Sequence, residues 1–130
     1  MERNKEAYEN FVCPYCWNTL DNCTCDLFPP YHTIFIDKNI QEHIRILNEK
    51  GYHTMACCEG HRTVCLNTYI AFADDYFVDT ELPEGFEWDK KRRIITYTYS
   101  MKLTVERMQE LKREKLETLL KWCKSLPKRN

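Results

Sequence analysis

Glycine is scarce: the chain has three in 130 residues. A P-loop or a G-x-G-x-x-G fingerprint needs glycines where the backbone closes on phosphate, so phosphate cradling by such a loop is excluded. Long apolar runs are missing too. Uncharged stretches are short: Val64 to Ala73, for example, contains Asn67 and ends at Asp74-Asp75, far short of the ~20 apolar residues of a membrane span. The first six residues, Met-Glu-Arg-Asn-Lys-Glu, are charged and no apolar segment of the secretory type follows. A soluble, cytoplasmic protein is therefore expected. There are no internal repeats and no low-complexity tract. The length suits one domain with a small appendage.

Cysteine is plentiful by contrast, at eight residues. Without a secretory signal, metal binding explains them better than a disulfide scaffold. Cys13, Cys16, Cys23 and Cys25 form the run C-x2-C-x6-C-x-C. A Cys-x2-Cys turn aims both sulfurs at one point; the second pair, Cys-x-Cys, is tighter but can also converge from a turn, and the four together suit one tetrahedral Zn2+. The alternative is a set of free or disulfide-bonded thiols. Four thiolates close the coordination sphere, so the expected role is structural, with no open position for a substrate. The metal would fold a segment, about residues 8–28, that has too little apolar surface to fold alone. Domains are accordingly expected at 1–28, a zinc-binding module, and 29–130, an α+β domain, with Phe28-Pro29-Pro30 between them.

Charge is nearly balanced overall but segregated along the chain. Leu66 to Asp89 carries seven acidic residues and no Lys or Arg, whereas Lys90 to Asn130 carries thirteen basic and four acidic residues, a formal +9. Lys90, Lys91, Arg92 and Arg93 are its densest point. Such a stripe can follow a phosphate backbone; it can equally be the solvated face of a hairpin and a helix.

Periodicity supplies the rest of the plan. Tyr31 to Ile36 is rich in β-branched and aromatic residues and predicts a strand. Asn39, with Glu42 three residues on, fits a capping box. Ile40, Ile44 and Leu47 then form one helical stripe, and Gly51 stands where a left-handed C-terminal residue belongs. The helix is predicted over residues 39–50. Further strands are predicted at Tyr52 to Cys57, Asn67 to Ala73 and Ile94 to Tyr99, with Lys90 to Arg93 at the start of the last. Val105, Met108, Leu111, Leu116, Leu119, Leu120 and Cys123 mark a final long helix. The order β-α-β-β-β-α implies an α+β fold on a ferredoxin-like plan, two helices on one sheet.

A second unusual stretch is Cys57-Cys58-Glu59-Gly60-His61, at the end of a strand. Gly60 permits a backbone conformation that other residues resist. Cys58, Glu59 and His61 are candidate catalytic or ligand-binding groups. Cys57, His61 and Cys65 offer an irregular second metal site. Packing is the plainer account of Cys57 and Cys123, and His32 and His53 read as ordinary strand residues.

The run Leu47-Asn48-Glu49-Lys50-Gly51-Tyr52-His53-Thr54, with Cys58-Glu59-Gly60-His61 and Tyr69-Ile70-Ala71-Phe72, resembles small uncharacterised proteins of Firmicutes and their phages. These carry an N-terminal cysteine cluster and a C-x-G-H motif. The resemblance covers about residues 11–100 and implies a fold rather than an activity; if phage-encoded, the protein would work in the host cytoplasm. Thr54, Cys58 and Gly60 are also similar to a motif of the wybutosine-synthesis methyltransferase family. There, Cys57 and Glu59 stand in place of serines and His61 in place of an arginine. That likeness implies a pocket near Cys58–His61 and S-adenosylmethionine as cofactor.

Two functions follow as expectations. The first is a zinc-stabilised binding protein that contacts nucleic acid or a protein partner, as a phage or mobile-element regulator or inhibitor would. Lys90, Lys91, Arg92, Arg93 and Trp17 would be its contact residues, with Tyr15 and Phe28 as further aromatics near the metal. The second is an RNA-modifying, methyltransferase-like enzyme centred on the Cys58–His61 loop.

Overall fold

The computed structural model describes residues 10–19, 22–25, 34–62, 65–77 and 80–129. The chain divides into two units, Met1–Lys38 and Asn39–Asn130. In the first, β1 (Phe11–Val12) pairs antiparallel with β2 (Ile34–Phe35). The rings of Phe11 and Phe35 meet edge to face at 5.6 Å. Val12 also bridges Thr19, so the intervening chain folds back as a tight hairpin.

The second unit contains α1 (Gln41–Glu49), β3 (Thr54–Cys58), β4 (Asn67–Phe72), β5 (Glu87–Asp89), β6 (Ile94–Thr98) and α2 (Val105–Ser125). Its four-stranded sheet has the order β3-β4-β6-β5, with every pairing antiparallel. The fold is mixed α+β, but the strands do not form the ferredoxin-like plan. The expected first strand, Tyr31 to Ile36, contributes only Ile34–Phe35, and these pair with β1 rather than with the four-stranded sheet; residues 31–33 lie outside the described ones. Both side chains of β2 are exposed. The missing strand is supplied from the acidic segment: Glu87–Asp89, expected as loop, forms the edge beside β6.

Helix α1 buries Ile44 and Leu47, and Ile40 just before it, each at 1 % exposure or less. Its end is a Schellman motif: Gly51 N–H donates to the Asn48 carbonyl at 3.0 Å and Tyr52 N–H to the Leu47 carbonyl at 2.8 Å. The expected capping box does not form, since the N-cap is Ile40 and no side chain caps it. Helix α2 starts at Thr104, whose hydroxyl accepts from Arg107 N–H at 3.1 Å. Met108, Leu116, Leu119 and Cys123 are buried as the stripe predicts, but Val105, in the first turn, is 47 % exposed. The far end of α2 is held by Lys50, whose Nζ donates to the carbonyls of Cys123, Lys124 and Leu126 at 3.0, 2.6 and 2.6 Å.

Ile70 and Ile95, fully buried in the sheet, join Ile40, Ile44, Leu47 and Leu119 in the core. A second apolar cluster centres on Phe77, whose ring meets those of Tyr52, Phe72, Trp88 and Trp122 at 4.8–5.6 Å. It fastens the acidic loop down, helped by Trp122 Nε1–H donating to the Glu81 carbonyl at 2.9 Å. Among the described residues, no helix is long and apolar enough to cross a membrane.

Candidate metal centre and the Cys58–His61 loop

The hairpin between Val12 and Thr19 is built by its backbone. Cys13 N–H donates to the Asn18 carbonyl at 3.0 Å, and Trp17 N–H donates to the Cys13 carbonyl at 2.8 Å. Trp17 takes φ 61°, the left-handed turn that brings the chain back after Cys16. This geometry carries Cys13 and Cys16 on one knuckle and leaves the Cys23–Cys25 pair to close on it.

The four sulfurs lie within 4.8 Å of one another. Cys13 Sγ and Cys25 Sγ are 3.9 Å apart, and Cys16 Sγ and Cys23 Sγ are 3.7 Å apart. None of the eight cysteines is disulfide-bonded. Tetrahedral coordination with metal–sulfur bonds of ~2.3 Å requires sulfurs about 3.8 Å apart, so the donor set fits a metal ion of that kind and could coordinate one. Proton affinity within the cluster is uneven. The Asn18 backbone N–H lowers the Cys16 thiol to about 7, whereas hydrogen bonding with Cys16, aided by desolvation and the other thiols, pushes Cys25 up to about 12. Several thiolates this close repel one another, and a dication would relieve that repulsion.

The second constellation is a turn leaving β3. Gly60 has φ 101°; its N–H donates to Cys58 Sγ at 3.4 Å. Thr68 Oγ1 donates to the Glu59 carbonyl at 2.8 Å and pairs with Tyr99 Oη at 2.6 Å, both hydroxyls being buried. Burial pushes the Tyr99 phenol up to about 12, so it stays protonated. His61 and Cys65 exchange backbone hydrogen bonds of 2.6 and 3.1 Å. The Glu59 carboxylate is 6 % exposed and accepts from Asn39 Nδ2 at 2.7 Å and from Lys112 Nζ at 3.2 Å. Lys112 also reaches the Gly60 carbonyl at 3.3 Å. Asn39 therefore holds a carboxylate instead of capping α1.

Cys58 Sγ and a ring nitrogen of His61 lie within 4.8 Å of each other. Gly60, His61, Arg62, Met108, Gln109 and Lys112 line a shallow groove of about 210 Å³ here. Cys57, His61 and Cys65 do not converge as a metal-ligand set among the described residues; the Cys65 thiol instead donates to the Asn67 carbonyl at 3.4 Å. Cys123 is core, fully buried, with its thiol pushed up to about 12 by desolvation. His32 and Phe28 lie outside the described residues.

Lys90 to Arg93 are the tip of the β5–β6 hairpin rather than the start of β6, and all four are exposed. Asp89 Oδ1 accepts from the N–H groups of Lys91 and Arg92 at 3.0 and 3.1 Å, and Arg93 closes the turn at φ 55°. Arg93 Nη1 donates to the Ala73 carbonyl at 2.6 Å; Lys90 and Lys91 are exposed, and Arg92, also exposed, makes a long ion pair with Asp89 at 3.9 Å. In the first unit Tyr15 is 71 % exposed and Trp17 half-buried. Spacing alone pointed to the cysteines; nothing in the sequence signalled that Thr68, Tyr99 and Lys112 support the loop. No protein-family model, curated protein or solved structure matches this chain.

Proposed function

We propose that the protein is a small binding module whose first unit is folded around one structural Zn2+. Its exposed basic turn would contact the phosphates of a nucleic acid. The observation that carries the reading is the convergence of four sulfurs at spacings of 3.7 and 3.9 Å. Cys13, Cys16, Cys23 and Cys25 would hold the ion, and its charge would fix the thiolates in one arrangement. The Val12–Thr19 hairpin then presents Tyr15 and Trp17 as stacking surfaces. In the second unit, Lys90, Lys91 and Arg92 supply cations on a turn that Asp89 and Arg93 hold in shape.

Native mass spectrometry of protein purified without chelator tests the metal, with one zinc per chain expected. Loss of that zinc in Cys16→Ser is expected as well; a metal-free native chain sinks the reading. Fluorescence anisotropy with a labelled single-stranded RNA tests the partner. Neutralising Lys90, Lys91 and Arg92 together should flatten the salt dependence by about 2 in log K against log salt. A shallow dependence in the native chain would point to a protein partner.

The proximity of Cys58 Sγ to His61, beside a groove, favours one second reading: an RNA-modifying enzyme using S-adenosylmethionine. Retention of that cofactor during purification would support it. Unchanged cofactor retention in His61→Ala would remove the loop from the site.

A further inference from the structure

The sulfurs of the knuckle pair between the turn that holds Cys13 and Cys16 and the segment that holds Cys23 and Cys25. Cys13 Sγ faces Cys25 Sγ at 3.9 Å, and Cys16 Sγ faces Cys23 Sγ at 3.7 Å, partners 12 and 7 residues apart. The second pair is nested inside the first. All four thiols are free, and each pair has only to close by about 1.7–1.9 Å to reach a disulfide bond of ~2.05 Å.

Access differs between the two pairs. Cys16 and Cys23 are both half-buried. In the outer pair Cys25 is half-buried too, but Cys13 is fully buried. An oxidant in solution therefore reaches both members of the inner pair and one member of the outer pair, and oxidation follows exposure.

We infer that the knuckle is also an oxidation site, at which a peroxide converts the four thiols into Cys16–Cys23 and Cys13–Cys25 disulfides, the inner one first. One thiolate of the inner pair attacks an oxygen of hydrogen peroxide. The O–O bond breaks, a sulfenic acid forms and hydroxide leaves. The second thiolate attacks the sulfenic sulfur, the S–S bond forms and a second hydroxide leaves. Each hydroxide takes one of the two protons given up by the thiols and becomes water. Each pair thus passes two electrons to one peroxide and releases two waters. A bound Zn2+ loses its ligands and departs with its oxidation state unchanged.

Both bridges join the Cys13–Cys16 turn to the Cys23–Cys25 segment. They restrict the unfolded chain across the same span that an ion would otherwise hold, so the oxidised knuckle stays folded without metal. The inference uses the sulfurs of the zinc reading but stands without it, since bridging is read by mass whether or not an ion is bound.

Treatment of the full chain with hydrogen peroxide, then alkylation and tryptic digestion, tests it. The peptide of residues 6–38 carries these four cysteines and none of the other four. It should lose about 2 Da first, with Cys16 bridged to Cys23 and the outer pair alkylated, and about 4 Da at full oxidation. Dithiothreitol should restore the thiols. Cys13→Ser combined with Cys25→Ser should still lose about 2 Da, which reads the inner pair whether or not that variant binds metal. In a chelator the oxidised chain should keep the amide dispersion of residues 11–25. An unchanged peptide mass in excess peroxide, oxygen gained as sulfinic acid, any other pairing, or dispersion lost from the oxidised chain would each overturn the inference. A native chain purified without metal that still forms these two bridges would support it and remove the zinc reading alone.

Discussion

Gly60→Ala is the substitution whose cost the structure defines most closely. At φ 101° the new side chain meets a backbone conformation that L-residues resist, a penalty of about 1–2 kcal/mol. Its Cβ would stand 3.0 Å from Tyr99 Cε2 and 3.2 Å from Thr68 Oγ1. Neither atom can retreat cheaply: the two side chains are buried, joined to each other at 2.6 Å, and Thr68 is also tied to the Glu59 carbonyl at 2.8 Å. Overpacking of this kind costs about 1–3 kcal/mol. The reduced freedom of the unfolded chain returns about 0.4–1 kcal/mol, leaving a net loss near ~3 kcal/mol. Gly85→Ala is the matched control. Its φ is 86°, and the new Cβ would meet Lys115 Nζ at 2.8 Å, the mobile end of a long side chain, and the edge of the half-buried Tyr97 ring at 3.3 Å; with both able to give way, the cost should be mainly backbone strain, about 1 kcal/mol. Urea unfolding in a Trp17→Phe background would read this, since Trp88 and Trp122 both pack on Phe77 and report on the second unit. With m-values of about 1–3 kcal/mol/M, the two midpoints should differ by about 1 M. Equal midpoints for the two variants would refute the argument, because they would show that the Thr68–Tyr99 pair yields freely.

Lys50→Met should cost about 1.5–3 kcal/mol, by loss of a charged donor to three carbonyls at the end of α2; hydrogen exchange of residues 121–126 would speed up selectively. Thr104→Ala should cost about 1 kcal/mol through the lost N-cap, read as a shift in the urea midpoint. Removing metal with a strong chelator should erase the amide chemical-shift dispersion of residues 11–25 while the core resonances of Ile70, Ile95 and Leu119 persist, and restoring zinc should bring it back. His43 has its pKa lowered from 6.5 chiefly by burial, with Lys124 acting the same way and the Leu116 carbonyl, Glu42 and the Ile40 carbonyl opposing; Lys112, Arg113 and Glu117 of α2 line a cleft that His43 also borders. Since the folded value is the lower one, the unfolded chain takes up the proton first. Stability should therefore fall as pH drops below about 6.5, and His43→Gln should remove that component of the slope.

The elements were legible where side chains alone decide. The spacing of Ile40, Ile44 and Leu47 can bury only on a helix, and the same holds for Met108, Leu116, Leu119 and Cys123. Cysteine spacing was legible for a similar reason, because a Cys-x2-Cys turn constrains its sulfurs locally. Pairing partners were not legible. Ile34 and Phe35 satisfy β propensity equally well in a ribbon with Phe11–Val12 or in a larger sheet, and only tertiary contacts choose. Glu87–Asp89 looks like loop because it is short and acidic, yet an edge strand tolerates charge. Asn39 illustrates a different limit. Its sequence context fits a capping box, but a buried carboxylate twenty residues away competes for the same amide and wins.

Polar satisfaction separates the knuckle from the Cys58–His61 loop. In the Cys58–His61 loop, Thr68, Tyr99, Asn39 and Lys112 answer the groups of the turn from within the protein, so the loop holds its shape without a ligand. In the knuckle, four sulfurs face one another with hydrogen bonds no shorter than 3.7 Å, a cluster that a cation completes better than thiol protons do. His43 is a third case: its Nε2 donates to the Leu116 carbonyl at 2.7 Å, while its buried Nδ1 forms no well-directed hydrogen bond, the Ile40 carbonyl being the other backbone group acting on the ring. Among the described residues the other buried polar side-chain atom without a partner is Trp88 Nε1. It is a donor set among the rings of Phe72 and Phe77, with centroids at 6.0 and 5.6 Å, and an N–H group can point its hydrogen at a π-face.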